Sequence, residues 1–165
     1  MSKDSSYDRL NNQITLQEIL RIAIEFERTA RDFYQDMTPK VSKKIRYLLE
    51  ELAAEEQHHY DLFNELSKRS DITEQIQEMV EKPASDRRFS DCIHLPELGE
   101  NPDDQAVLQY ALMREHAAME QYTALAKIKQ SGPIKSLFEF LANEETKHKN
   151  ELEKLYYEIV HSGGV

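Results

Sequence analysis

The sequence predicts an all-α protein, an antiparallel four-helix bundle with a long crossover between its second and third helices. Three observations carry that expectation. Helix formers dominate and turn formers are scarce, with 4 glycines, 5 prolines and 32% charged side chains in 165 residues. Four long stretches place apolar residues at alternating steps of three and four, the pattern of helices that bury one face. An irregular segment, about 68–103, separates the second stretch from the third. Antiparallel neighbours are usually joined by roughly two to eight residues, so so long a link predicts that helices two and three run parallel. The length suits one domain over residues 1–165.

The first helix is expected from about Leu16 to Met37, with Thr15 and Glu18 as a capping box and Leu16, Ile19, Ala23, Phe26, Ala30, Phe33 and Met37 as its stripe. "TPK" at 38–40 ends it, and Pro39 can open the next helix. The second continues to about Ser67 on Ile45, Leu49, Leu52, Phe63 and Leu66. The third runs from about Asp104 to Gln130 with Leu108, Ala111, Met119, Tyr122 and Leu125 inward, and "SGP" at 131–133 breaks it. The fourth follows to about Val160 on Ile134, Phe138, Leu141, Leu152, Leu155 and Ile159. The helix pairs therefore cover about 15–67 and 104–160. Within the crossover, "DITEQIQEMVEK" reads as a short helix opened by Asp71, and the remainder as ordered loop.

A net charge of -10, from 31 acidic and 21 basic side chains, argues against nucleic acid, whose binding rests on Lys and Arg displacing counterions. Cations are the more natural guests. No run of roughly 18 apolar residues is present for a membrane span, and "MSKDSSYDRLNNQ" has no apolar core of a secretory leader. The expectation is a cytoplasmic protein without membrane partners. The single cysteine, Cys92, cannot form an intrachain disulfide and reads as a packing residue.

Two stripes have gaps. Counting on from Leu52 by four and three gives Glu56 and His59, and from Leu141 gives Glu145 and His148. Each gap is a Glu-x-x-His pair. Glu27 falls between Ala23 and Ala30 on the apolar face of helix one, and Glu115 between Ala111 and Met119 on helix three. Each helix thus turns one carboxylate inward. The six residues also repeat: Glu27 to Glu115 is 88 residues, and both Glu56 to Glu145 and His59 to His148 are 89. "AIEFERTARDFY" matches "ALMREHAAMEQY", and "LAAEEQHH" matches "LANEETKH". The repeat selects Glu56 with His59 over Glu55 with His58, because Lys147 occupies the second register in helix four. Glu55, His58, Glu144 and His116 are then expected at the rim or in solvent.

Four ionised carboxylates in an apolar interior would each cost several kcal/mol and repel one another. Two divalent cations neutralise them. Each ion would take one histidine nitrogen and carboxylate oxygens, with carboxylates bridging the pair. The i, i+3 spacing puts Glu and His on one helical face as adjacent ligands.

This constellation, one Glu from each of two helices and Glu-x-x-His from each of the other two, resembles the ferritin-like di-iron carboxylate superfamily, and within it the rubrerythrin-like branch. The resemblance implies that Glu27, Glu56, His59, Glu115, Glu145 and His148 hold two iron ions, and that Tyr34 and Tyr122 steady the carboxylates from behind. Manganese or zinc would also suit the donor set. Two departures are expected to matter. The rubredoxin-like domain of rubrerythrins proper needs four cysteines, and the extra Glu three residues after the helix-three ligand is here Ala118. The symmetrical six-ligand set is closer to ferroxidase centres. The resemblance therefore implies an oxidoreductase of ferroxidase or peroxidase type acting on dioxygen or peroxide with an external electron donor. The alternative is an iron sequestration or delivery protein without turnover. A homodimer or larger homo-oligomer is expected by the same resemblance, with Ile93 and Leu95 available to an interface.

Overall fold

The computed structural model describes residues 13–69, 79–81, 98, 101–127 and 132–162. Among them four α-helices form the bundle: α1 (Leu16–Met37), α2 (Lys43–Ser67), α3 (Asp104–Ala126) and α4 (Pro133–Ser162). The Thr15 hydroxyl accepts the Glu18 backbone N–H at 3.2 Å, which forms the Thr15 half of the expected capping box on α1. Asp103 caps α3 in the same way, accepting from the Ala106 N–H at 2.7 Å.

Short corners make antiparallel pairs of α1 with α2 and of α3 with α4. At the first corner Thr38–Lys40 is a separate 3-10 turn with Pro39 near its start, and α2 begins at Lys43. Pro39 therefore opens this turn and not α2, as its position had suggested. Arg46 stitches the corner by donating to the Thr38 and Val41 carbonyls at 3.1 and 3.0 Å. At the second corner α3 ends at Ala126, short of the expected Gln130, and the Lys135 ammonium donates to the Ala126 carbonyl at 2.7 Å. Gly132 takes φ +112°, a conformation that favours glycine.

The Ser42 N–H at the start of α2 donates to Asp104 at the start of α3, at 3.0 Å. The two helices thus run parallel, as a long crossover requires. One part of the crossover differs from expectation. Met79–Glu81 is a short strand paired antiparallel with Gln13–Thr15, where the sequence pattern suggested helix up to residue 82. Three-residue pairing beside the start of α1 replaces the last turn of that expected helix. Cys92, Ile93, His94 and Leu95 lie outside the described residues.

The apolar core is in two parts at opposite ends of the bundle. One joins Leu16, Phe26, Phe63, Tyr122 and Phe138 with their neighbours. The other joins Phe33, Tyr34, Ile45, Leu49, Leu108 and Leu152. Met37, Met119, Leu155 and Ile159, expected inward, are only partly buried. Between the two apolar layers lies a polar one.

Candidate metal centre

All six predicted residues converge on that middle layer, and none is more than 2% exposed: Glu27 from α1, Glu56 and His59 from α2, Glu115 from α3, Glu145 and His148 from α4. The repeat gives the layer an approximate twofold arrangement. His59 Nδ1 faces Glu27 Oε2 at 3.5 Å, Glu56 Oε2 at 3.5 Å and Glu145 Oε1 at 3.2 Å. His148 Nδ1 faces Glu56 Oε1 at 3.4 Å, Glu115 Oε2 at 3.5 Å and Glu145 Oε2 at 3.5 Å. Glu56 and Glu145 therefore turn one oxygen to each histidine, whereas Glu27 and Glu115 each serve one side.

The donor atoms test whether cations fit. Glu27 Oε2, both Glu56 oxygens, His59 Nδ1, Glu115 Oε2, Glu145 Oε1 and His148 Nδ1 are buried without a hydrogen-bond partner in the protein. Buried polar atoms are rarely left so, and each costs about 1–3 kcal/mol or more when charged. Two donors each about 2.1 Å from one ion lie about 3.0–3.4 Å apart at octahedral or tetrahedral angles, close to the spacings around each Nδ1. The donor atoms of Glu27, Glu56, His59 and Glu145, and those of Glu56, Glu115, Glu145 and His148, each fall within 4.8 Å of one another. The residues fit two cation positions sharing Glu56 and Glu145.

The remaining oxygens of the terminal carboxylates are taken. The Tyr34 hydroxyl donates to Glu115 Oε1, and the Tyr122 hydroxyl to Glu27 Oε1. Each tyrosine thus holds the carboxylate of the opposite half of the repeat, leaving Oε2 of that carboxylate facing the centre.

Burial and the charge of Glu56 raise Glu27 well above the usual carboxylate range, and burial with Glu145 does the same to Glu115. Burial pushes Glu56 and Glu145 upward too, but the neighbouring carboxyls and both histidines outweigh it and hold both low. Burial alone would lower the imidazoles; the surrounding carboxylates overcome it and raise both His59 and His148.

Three features lay outside the sequence reading. Arg114, a basic side chain outside the apolar stripe read for the third helix, is fully buried. It donates to the Thr29 hydroxyl at 2.8 Å and lies over the Phe26 ring at 5.0 Å from the centroid. The signal existed, since the repeat aligns position 114 with Phe26, a core position. Gln121 is buried likewise. Glu55, expected at the rim, is half-buried and accepts a hydrogen bond from His148 Nε2. His58 and His116 are exposed and Glu144 partly buried, as expected for the rim.

The sequence model of the rubrerythrin family matches residues 18–91 and 106–162, which is most of the chain and both halves of the repeat. The chain belongs to the rubrerythrin family. Its all-α bundle is accordingly of the ferritin-like kind. No curated protein and no solved structure matches it. Among rubrerythrin-family features, the extra Glu expected three residues after Glu115 has no counterpart, and Ala118 is packed in the apolar core instead. No helix among the described residues is long and apolar enough to cross a membrane.

Proposed function

We propose that this chain is a single-domain di-iron carboxylate oxidoreductase of ferroxidase or peroxidase type, working in the cytoplasm as a homodimer or larger homo-oligomer with an external electron donor. The observation that carries the reading is the set of buried, unpartnered oxygens and nitrogens belonging to Glu27, Glu56, His59, Glu115, Glu145 and His148. Bound as a ferrous pair, iron would supply one electron from each ion to dioxygen or peroxide.

The chain's own part is positioning, insulation and proton management. Glu27, Glu56, Glu145 and His59 would hold one ion; Glu115, Glu56, Glu145 and His148 the other. Tyr34 and Tyr122 hold the terminal carboxylates by one oxygen each, and so fix which oxygen remains for iron. The hydroxyl protons sit one carboxylate away from the centre. Tyr122, which donates to Glu27, packs with Phe63 and Phe138 at centroid distances of 6.1 to 6.2 Å, and all three rings are buried. Cations at this centre would compete with protons for the same carboxylate and imidazole atoms, so binding is coupled to pH.

Anaerobic ferrous protein mixed with dioxygen or peroxide in a stopped-flow spectrometer tests the reading. Oxidation of two irons per chain, repeated on addition of a reductant, is the expected result. Uptake of many irons per chain without turnover would instead mark a storage or delivery protein. Metal content unchanged in a Glu56→Ala, Glu145→Ala variant would refute the ligand assignment.

A further inference from the structure

The two histidines are equivalent in the sequence repeat but not in their surroundings. His148 presents Nδ1 to Glu56, Glu115 and Glu145 and, on the opposite side of the ring, Nε2 to Glu55. His59 has no such carboxylate among the described residues; its ring lies edge-on to Phe140 at 6.4 Å and stacks on His148 at 5.8 Å. The repeat counterpart of Glu55 is Glu144, 89 residues on. Glu144 accepts from the Lys147 ammonium at 3.2 Å. The position equivalent to Lys147 in the first half is His58, so Glu55 has no lysine in that register and reaches across to α4.

A neutral imidazole that offers its Nδ1 lone pair to a cation carries its proton on Nε2. On His148 that N–H points at a carboxylate, which fixes the tautomer, orients the ring and strengthens Nδ1 as a donor. We infer that Glu55 is a positioning residue for His148, and that it makes the Glu115/His148 position the tighter of two unequal cation positions. This rests on the dinuclear reading above. Glu55, Glu144 and His148 also lie close enough together, within 4.8 Å, to suggest an outer cation site. A protonated Nε2 cannot be a ligand on that side, and Glu144 is already paired, so the hydrogen-bonded arrangement is preferred.

Anaerobic titration of the metal-free full chain with Co(II), followed by d–d absorption and calorimetry, decides the matter without any turnover. Wild type is expected to take two ions in unequal steps. Glu55→Ala is expected to weaken the tighter step by about 10- to 100-fold and leave the weaker one in place, the range seen when outer carboxylates of metal-bound histidines are removed. Glu55→Gln, whose amide oxygen still accepts the N–H, should recover part of the loss, and it carries the test if the alanine variant fails to fold by circular dichroism. Glu144→Ala should change neither step. Unchanged steps in Glu55→Ala, or equal weakening by Glu55→Ala and Glu144→Ala, would overturn the inference. So would a third ion in wild type lost in both variants. Fewer than two ions in wild type would instead overturn the dinuclear reading on which the inference rests.

Discussion

The behaviour of single residues in this protein is set by burial. Tyr34 and Tyr122 show it most simply. Burial, and then the adjacent carboxylates Glu115 and Glu27, raise both phenols well above their ordinary value. A group whose folded value lies above its unfolded value of about 10 adds stability that is whole below that pH and is lost as pH rises toward the folded value. The metal-free protein should therefore lose stability above about pH 10. A Tyr34→Phe, Tyr122→Phe variant should be less stable at pH 7, by about 1–3 kcal/mol for each buried acceptor left unmatched. It should also fall less steeply above pH 10. Urea melts of both proteins at pH 7 and pH 11 check the sign.

Among the elements, caps and one buried cation hold the helix pairs in register. Asp103 satisfies an N–H that the first turn of α3 cannot satisfy internally, and its neighbour Asp104 ties that turn to the start of α2. Asp103→Ala should cost about 0.5–2 kcal/mol, read as a shift of the denaturant midpoint without change of slope. Arg114 joins α3 to α1 through Thr29 and Phe26, and its guanidinium also lies over the ring of Tyr110, one turn back on α3. Arg114→Ala would open a cavity and strip the partly buried Thr29 hydroxyl of its donor, so a loss of about 2–4 kcal/mol in the same measurement is expected. The pseudo-twofold relation of α1 to α3 explains the sensitivity: they cross antiparallel, and each lends a tyrosine to the carboxylate of the other.

For the whole molecule, metal binding at the proposed centre would be coupled to folding. The polar layer divides the apolar core, so the bundle is expected to be markedly more stable when loaded. Each ion present at 100 times its dissociation constant adds about 2.7 kcal/mol. Thermal melts with Fe(II) or Zn(II), with and without a chelator, should show the rise and its reversal. Because cations and protons compete for the same carboxylates and imidazoles, loading should release protons, detectable with an indicator dye. Affinity should fall as pH is lowered from 7 to 5, since protons then compete for the same atoms.

Much of this was legible in the chain before any coordinates. Helix period, cap residues and the gaps left by Glu27, Glu56, His59, Glu115, Glu145 and His148 are local in sequence, and the offsets of 88 and 89 residues bind them into one set. Periodicity determines which face a residue occupies, and an internal repeat determines which faces meet. The tertiary structure alone decided the pairings that cross between halves: Tyr34 with Glu115, Tyr122 with Glu27, Glu55 with His148, and Arg114 against Phe26. The strand at Met79–Glu81 is of the same kind, since its partner lies more than sixty residues away at Gln13–Thr15. The physical reason is common to all of them. A helical pattern states that a side chain is inward, but the atom it touches belongs to another helix whose rotation and height only packing fixes. Hence the sequence by itself determined the six candidate ligands and their equivalence, and the packing of α2 on α4 decided that the two histidines are not alike.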